Sequence, residues 1–339
     1  MRDVLVFACN AVLPLLLLIL AGYCLRWGGL ITEEFLRVGN KLVFYVCLPL
    51  YLFYNIYQID NLKDIRLDVL LYAGGMIVLF FGLGLLAAHF WISDPLQKGV
   101  ILQCTFRSNF AIIGIPLSGA LGGSEGVAVA ALLSAVTIPV YNVLAVVSLS
   151  IYLPAESGQK KTDYKKIFRK ILKNPLILGV LAGILCLLIR SILPQSGGEP
   201  VFLLRKQGKV LYQAIENVSA IASPLALLVL GGQFSFDSAK EKRREIAIGT
   251  VLRVIVVPAV ALSGTWLLSR ICSGFEATPA VYTAYTALYG TPVAVSSAIM
   301  ASEMRNDGEL AGQLVVWTSL LSLVTLFVFT VILRSAGLI

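Results

Sequence analysis

The chain has few charged residues and a single histidine. Asp, Glu, Lys and Arg make up 14% of its 339 residues, whereas hydrophobic residues make up 58%. The mean hydropathy is +0.86. Soluble globular domains carry about 25% charged residues. The composition therefore excludes a soluble globule and predicts an integral membrane protein.

Sequence motifs of enzymes, nucleotide sites and metal sites are missing as well. There is no HExxH motif, no P-loop and no glycine-rich dinucleotide fingerprint. Residues 122–126 fit a G-x-S-x-G pattern, but they join two apolar runs, whereas a nucleophile elbow requires a strand, a turn and a helix. The six cysteines lack metal-ligand spacing. We expect no enzyme, no cofactor and no metal site.

Long apolar runs are what the sequence does contain. An α-helix needs roughly 20 residues to cross about 30 Å of hydrocarbon. Ten runs approach or exceed that length: 4–25, 38–57, 68–90, 97–120, 126–152, 175–193, 210–234, 246–270, 278–301 and 309–333. Their unbroken apolarity rules out a barrel, whose strands alternate with period two. The sequence predicts an all-α integral membrane protein with ten transmembrane helices.

The two halves of the chain repeat one another. Three motifs of the first half return in the second: Pro14–Gly22 as Pro175–Gly183, Leu48-Pro49-Leu50 as Ser223-Pro224-Leu225, and Gly114-Ile115-Pro116 as Gly290-Thr291-Pro292. Because each half holds five spans, an odd number, the halves must enter the membrane in opposite directions. We predict a first five-helix repeat at 1–153, a basic linker at 154–174 and a second repeat at 175–339.

Basic residues are concentrated on the side of the membrane that holds the linker. The linker alone carries Lys160, Lys161, Lys165, Lys166, Arg169, Lys170 and Lys173. By the positive-inside rule this side is cytoplasmic. Both termini are then expected on the extracytoplasmic side of the cell (plasma or inner) membrane. A cluster of this kind suits an anionic lipid leaflet, so the lipid bilayer is the expected partner and nucleic acid is not.

Proline preceded by glycine is predicted to break the fourth and ninth spans, at Pro116 and Pro292. Proline removes a backbone donor and leaves a carbonyl unpaired. Within lipid, such a break is tolerated only where protein or a water-filled cavity satisfies the backbone. Two matched breaks favour a crossover at a substrate site, with simple bending as the alternative. The positive N-terminal ends of half-helices there would suit a carboxylate.

Residues near the breaks are the candidates for substrate binding. Asn109 could donate to a carboxylate or form an interhelical hydrogen bond. A buried Arg107 must face a cavity or a partner, and both an anion and a structural partner are compatible with it. Ser296 and Ser297 suit either a ligand or close helix packing. The whole predicted set is Arg107, Ser108, Asn109, Gly114, Pro116, Ser223, Gly290, Thr291, Pro292, Ser296 and Ser297.

Other charged residues have more open roles. Asp68, at the start of the third span, is a candidate for proton coupling or a plain interfacial carboxylate. Arg253, inside the eighth span, needs a partner or water, and the sequence assigns it no role. Glu303, Asp307 and Glu309 are expected at a cytoplasmic turn, where they would be solvated.

These residues resemble the auxin efflux carrier family. The resemblance rests on Asn109 followed by Gly114-Ile115-Pro116-Leu117, on Arg253 with Pro258-Ala259, and on the break at Pro292. Bacterial members resemble organic-acid permeases, and plant auxin carriers are distant relatives. Arg107 and Ser108 stand where the plant proteins have apolar or proline residues, and the central loop is short, so the sequence does not single out auxin.

The resemblance implies a fold similar to bile-acid and sodium–proton carriers. Helices 1, 2, 6 and 7 would form a scaffold, expected to be homodimeric, while helices 3–5 and 8–10 would form a moving transport domain with crossing fourth and ninth helices. Asn109, Pro116 and Pro292 would form the core of the site. We expect a transporter of a small organic anion, a mono- or dicarboxylate, that works by an elevator motion, with a coupling proton or sodium ion left open. A ligand sensor without transport and a sodium-coupled bile-acid-type symporter are the alternatives.

Overall fold

The computed structural model describes residues 2–58, 66–153, 173–192, 195–196, 199–200, 203–272 and 274–339. Most of the predicted linker, residues 154–172, lies outside them. Helices dominate the described chain: α1 Arg2–Trp27, α2 Glu33–Leu42, α3 Leu48–Tyr57, α4 Leu67–Trp91, α5 Pro95–Phe106, α6 Ile115–Ile151, α7 Pro175–Ile192, α8 Leu204–Gln207, α9 Lys209–Gln233, α10 Phe236–Glu241, α11 Arg243–Val251, α12 Val257–Ile271, α13 Pro279–Gly290, α14 Ser296–Glu303 and α15 Gly308–Ser335. Among these residues the only strands are β1 Gln195–Ser196 and β2 Glu199–Pro200, which pair antiparallel. The predicted all-helical class is confirmed.

Six helical runs are long and apolar enough to cross a membrane. They are Glu33–Tyr57, Leu67–Trp91, Phe110–Ile151, Lys209–Gln233, Arg243–Ile271 and Gly308–Ser335. Leu13–Trp27 and Pro175–Arg190 are shorter apolar helices. The predicted spans 97–120 and 278–301 are each divided between two helices, which is why neither appears as a single long run. The chain is a multi-pass membrane protein.

Three π-helical turns interrupt the long helices, and each lies just before a proline. Val43–Cys47 precedes Pro49, Phe110–Gly114 precedes Pro116, and Leu252–Val256 precedes Pro258. A proline ring clashes with the carbonyl four residues earlier, and in all three cases that carbonyl lies within the π turn. The wider turn accommodates the ring, so the chain stays helical through these prolines.

The helix over Ile115–Ile151 consists of two segments that meet at Gly123. This residue has φ 61° and ψ −150°, a conformation outside the helical region. Only glycine adopts such angles at low cost. The turn lies between the predicted spans 97–120 and 126–152, as the glycine-rich sequence around it indicates.

Two groups of helices pack closely. Helix α1 contacts α9 and α3 contacts α7, while α4 contacts α5 and α6 contacts α13. The α1–α9 contact has backbone against backbone, because a side chain on Gly22 would collide with the Leu228 carbonyl and one on Gly231 with the Ile19 carbonyl. Small residues allow this close approach between membrane helices.

Candidate functional site

Two extended segments cross in the interior of the protein. Residues 107–109 separate α5 from the π turn before α6, and residues 291–295 separate α13 from α14. Ser108 and Val293 form an isolated antiparallel bridge. The backbone amide of Asn109 donates to the Pro292 carbonyl at 2.8 Å. Each extended segment thus supplies the other with a hydrogen-bond partner that its own interrupted helix cannot provide.

The position of the first break differs from the predicted one. Pro292 lies within the second break, as expected. Pro116 does not break a helix: it lies in the first turn of α6, and the chain unwinds seven residues earlier. Proline is tolerated in the first helical turn, because the N–H that it lacks would have no intrahelical acceptor there. Gly114 belongs to the π turn and Gly290 ends α13.

Arg253 holds the C-terminal ends of both broken helices. Its side chain is completely buried. The guanidinium donates to the carbonyl oxygens of Thr105 (3.3 Å), Phe106 (3.2 Å), Leu288 (3.4 Å), Tyr289 (2.9 Å) and Thr291 (3.1 Å). The last carbonyls of a helix lack intrahelical donors and form its negative end. One cation therefore satisfies and neutralises two helix C-termini.

The opposite, positive ends of the half-helices face a cavity. The cavity is lined by Phe110, Ala111 and Ile112, which follow the first extended segment, and by Val295 and Ser296, where the second segment leads into α14. These residues lie at helix starts, where the first N–H groups have no intrahelical acceptor, and neither start has a capping side chain. Free N–H groups at two helix N-termini make a site suited to an anion.

Arg107 places a positive charge beside these N-termini. Its side chain is 4% exposed. The guanidinium donates to Asn142 Oδ1 (2.8 Å) and Ser296 Oγ (2.9 Å), and it contacts the sulfur of Met300. All three partners are neutral, and no ion pair among the described residues includes Arg107. A buried cation without a counter-charge is costly.

Further polar atoms at the crossover have no partner. Asn109 is buried, and its Nδ2 makes no hydrogen bond. The hydroxyls of Thr291 and Ser297 are likewise buried and unpaired. The Ser108 hydroxyl donates to the Tyr141 hydroxyl at 3.4 Å. Of the three residues with unpaired groups, Asn109 lines the crossover cavity, so its unpaired amide is the one that a ligand in the cavity can reach.

The cavity at the crossover is small. Its volume is about 60 Å³, room for about four water molecules at about 15 Å³ each. Five of the predicted binding residues line it: Arg107, Ser108, Asn109, Ser223 and Ser296. The other six lie outside its lining: Gly114, Pro116, Gly290, Thr291, Pro292 and Ser297.

Two larger cavities lie at opposite ends of the Glu33–Tyr57 run. One, of about 790 Å³, is lined by Gln58, Arg66 and Glu125, and it shares Ala111 and Ile138 with the crossover cavity. We call it the outer vestibule; the names outer and inner follow the orientation predicted from the basic residues. The other, of about 510 Å³, is lined by residues that include Asn40, Gln233 and Glu303, and it shares no residue with the crossover cavity. We call it the inner vestibule.

Asp68 lies at the edge of the outer vestibule rather than in the crossover cavity. Its carboxylate forms a 2.5 Å ion pair with Arg66. Arg66 also donates to the Glu276 carbonyl at 2.7 Å. The hydrogen bond with Asp68 raises the pKa of the Arg66 guanidinium. The pair therefore links the start of α4 to the loop before α13.

The expectation that the acidic residues near α15 are solvated is wrong for Asp307. Its side chain is 11% exposed and forms a 2.8 Å ion pair with Lys242. It also accepts from the Leu310 amide as the N-cap of α15 and from Gln97. Glu309 is more exposed and accepts from Lys242 at 3.0 Å. The carboxylate is largely buried because it joins the N-terminal ends of α5, α11 and α15.

Sequence reasoning did not find two residues of the site. Asn142 and Tyr141, both on α6, line the cavity. Asn142 was the detectable one, because it is a lone amide in an otherwise apolar run. Its side chain accepts from Arg107 and donates to the Ile138 carbonyl at 2.8 Å.

The chain is similar to known membrane transport proteins. A family model described as "Membrane transport protein" matches residues 7–330. An uncharacterized transporter of Methanothermobacter thermautotrophicus is 26% identical over 331 residues, 96% of this chain and 98% of the relative. An uncharacterized transporter of Methanocaldococcus jannaschii is 25% identical over 267 residues, 77% of this chain and 80% of the relative. The chain belongs to the membrane transport protein family, the auxin efflux carrier family that its sequence resembles.

Proposed function

We propose that this protein is a secondary transporter that moves a small organic anion across the cell or inner membrane by alternating access. One observation carries the proposal: Arg107 is buried beside two helix N-termini in a cavity, and its hydrogen-bond partners are all neutral. In the part of the chain that the structure describes, no acidic side chain lines that cavity. A bound anion would supply the missing counter-charge and the missing hydrogen-bond acceptors.

The distribution of helix ends supports an anion over a cation. Arg253 neutralises the negative ends of α5 and α13, so the crossover cavity receives only the positive ends. Unpaired Nδ2 of Asn109 adds another donor. Donors, positive dipole ends and a guanidinium together attract a carboxylate.

An architecture of ten spans in two inverted repeats is part of this proposal. Its support is the correspondence between the vestibules. Asn55 and Gln58 of the outer vestibule match Leu230 and Gln233 of the inner one, because both pairs have the 175-residue offset that relates Pro49 to Pro224. Inverted repeats place equivalent residues at opposite membrane faces, which suits a site that opens to each side in turn.

Elevator motion is the form of alternating access that we propose. Helices α1, α3, α7 and α9 pack against one another, as a scaffold would, and the crossover belongs to the second group of helices. The crossover cavity adjoins the outer vestibule and not the inner one. With the basic linker in the cytoplasm, this arrangement corresponds to an outward-facing state.

A homodimer through the scaffold and proton coupling through Asp68 complete the proposal. The first rests on the family resemblance. The second has a structural consequence: protonation of Asp68 would break its ion pair with Arg66 at the outer vestibule. Proton coupling would therefore act on the vestibule, because Asp68 does not line the crossover cavity.

Counterflow in proteoliposomes tests the proposal. A thermal-shift screen of carboxylates on the purified protein identifies a ligand, and exchange of labelled ligand is then measured. Arg107→Gln should abolish exchange, whereas the control Arg270→Gln, at an exposed arginine at the end of α12, should not. Normal exchange by a folded Arg107→Gln protein would contradict the proposal.

The same assay separates the rival functions. Ligand binding without exchange would favour a sensor. Exchange that requires sodium would favour a sodium-coupled symporter. We rank the sodium-coupled symporter lower because, among the described residues, no carboxylate lines the crossover cavity.

A further inference from the structure

We infer that the transported anion is a short monocarboxylate whose apolar body lies against helices α3, α7 and α9, and that dicarboxylates are excluded. The inference rests on the proposed function and narrows it to one substrate class. It follows from the unequal chemistry of the cavity walls, from the number of charged residues in the lining and from the cavity volume.

One wall of the cavity is polar. Arg107, Ser108 and Asn109 come from the first extended segment, Ser296 comes from the second, and Asn142 comes from α6. The Nδ2 of Asn109 has no hydrogen-bond partner, although the residue is buried and only 4% of it is exposed. Since the free helix N-termini lie on the same side, the carboxylate of a ligand would bind there.

The facing wall is apolar. It consists of Leu48 and Leu52 of α3, Leu176 of α7, and Ala222 and Ala226 of α9, and each of these side chains is buried. Among the described residues of this wall, the hydroxyls of Tyr51 and Ser223 are the polar side-chain groups. Burial of a hydrocarbon chain against such a wall favours binding.

Among the described residues, the lining contains a single charged side chain, that of Arg107. One guanidinium can compensate one carboxylate. A second carboxylate on the ligand would face Leu48, Leu52 and Leu176 without a counter-charge, and burying such a charge costs several kcal/mol. The cavity therefore selects for a carboxylate at the crossover end of the ligand and against a second carboxylate at the end that lies against α3, α7 and α9.

The volume sets the size of the ligand. At about 60 Å³ the cavity accepts only a small molecule. Conventional drug-sized ligands occupy pockets of about 300–1,000 Å³. The outer vestibule begins at Ala111 and Ile138, so the end of a somewhat longer chain could extend into it.

Three ligands of matched length test the inference. Butyrate, succinate and butyramide are titrated against the purified full-length protein, and binding is measured by thermal shift and calorimetry. Butyrate should bind, and succinate, in which a carboxylate replaces the methyl group, should bind more than about a hundredfold more weakly. Butyramide should also bind weakly, because it lacks the charge that Arg107 requires.

The outcomes separate this inference from the proposed function. Succinate that binds as well as butyrate, or better, would overturn the inference and leave anion transport standing. Butyramide that binds as well as butyrate would contradict the anion site itself. Absence of binding by both acids, while a larger or more polar anion binds, would overturn the inference alone.

A variant pair locates the apolar body. Ala226→Val enlarges a side chain on the apolar wall and should weaken butyrate about tenfold or more, while acetate is much less affected. Ala214→Val, on the exposed face of α9, is the control and should leave both affinities unchanged. Equal weakening of acetate and butyrate by Ala226→Val would contradict the proposed orientation.

Discussion

The backbone amide of Asn109 donates a 2.8 Å hydrogen bond to the carbonyl oxygen of Pro292, two residues that lie 183 positions apart in the chain. This bond joins the two breaks and fixes the backbone of Asn109 independently of its side chain. The side-chain Nδ2 remains unpaired. The backbone amide of Asn109 thus fixes the position of the residue, and its side-chain amide stays available to a ligand.

Asn109→Ala should therefore lose ligand binding and keep its fold. The backbone bond to Pro292 survives the substitution, and removal of an unpaired buried donor leaves the free energy of unfolding unchanged or slightly increased. Loss of one hydrogen bond to a charged ligand should weaken binding about tenfold to a hundredfold. Asn217→Ala, on the exposed face of α9, is the control. Normal affinity in Asn109→Ala would show that this amide does not contact the ligand.

Arg253→Gln should destabilise the protein strongly. Five backbone carbonyls accept from the guanidinium, and a glutamine amide could reach at most two. Each buried carbonyl that loses its donor costs about 1–3 kcal/mol, so a loss of about 3 kcal/mol or more is expected in the free energy of unfolding. Thermal unfolding in detergent measures it, with Arg270→Gln as the exposed control.

Arg253→Lys refines that test. Lysine keeps the charge but has three donors at one point instead of a planar fork, so it should restore part of the stability and little of the transport. A protein with Arg253→Gln that melts like the wild type would show that the crossover holds together without this side chain.

The position of the second break could be predicted from the sequence, but the position of the first could not. Gly290 and Pro292 lie in or beside an unwound segment, whereas Gly114 and Pro116 lie in helical turns. The same Gly-x-Pro pattern permits two outcomes, because a π turn satisfies the backbone around Pro116 without a break. Which outcome occurs depends on the contact of residues 107–109 with 291–295, a long-range contact that no local pattern encodes.

Arg253 shows a different limit of sequence reasoning. A cation inside an apolar run predicts that some partner exists. The partner here is a set of backbone carbonyls contributed by α5 and α13. Backbone groups leave no residue-type signal in a sequence, so a search for a partner among acidic side chains cannot find them.

Gly231→Ala should loosen the contact between α1 and α9. The new Cβ would collide with the Ile19 carbonyl, an atom of the α1 backbone that cannot move without shifting the helix. Overpacking of this kind costs about 1–3 kcal/mol. Gly74→Ala is the matched control, since its Cβ would have no neighbour within 4 Å. Thermal unfolding of the two proteins should differ accordingly, and equal melting would indicate that α1 and α9 are less tightly packed than described.

Lys242→Met should destabilise the contact between the N-terminal ends of α5, α11 and α15. The lysine is 17% exposed and the Asp307 carboxylate 11%, so the substitution leaves a largely buried carboxylate without its cation. Partial exposure reduces the cost below that of a fully buried pair, to about 1–3 kcal/mol of unfolding free energy. Lys240→Met is the control, because Lys240 is 82% exposed and pairs with Asp237 only at 3.5 Å.

The pH dependence of this effect has a definite sign. Burial lowers the pKa of the Lys242 ammonium, but the hydrogen bonds and charges of Asp307 and Glu309 outweigh burial, so the pKa is raised overall. A raised pKa gives a contribution that is fully present below the ordinary lysine pKa and is lost as the pH rises through the raised value. The difference in unfolding free energy between wild type and Lys242→Met should thus stay constant from about pH 6 to about pH 9. A difference that shrinks within this range would show that Lys242 is not held by these carboxylates.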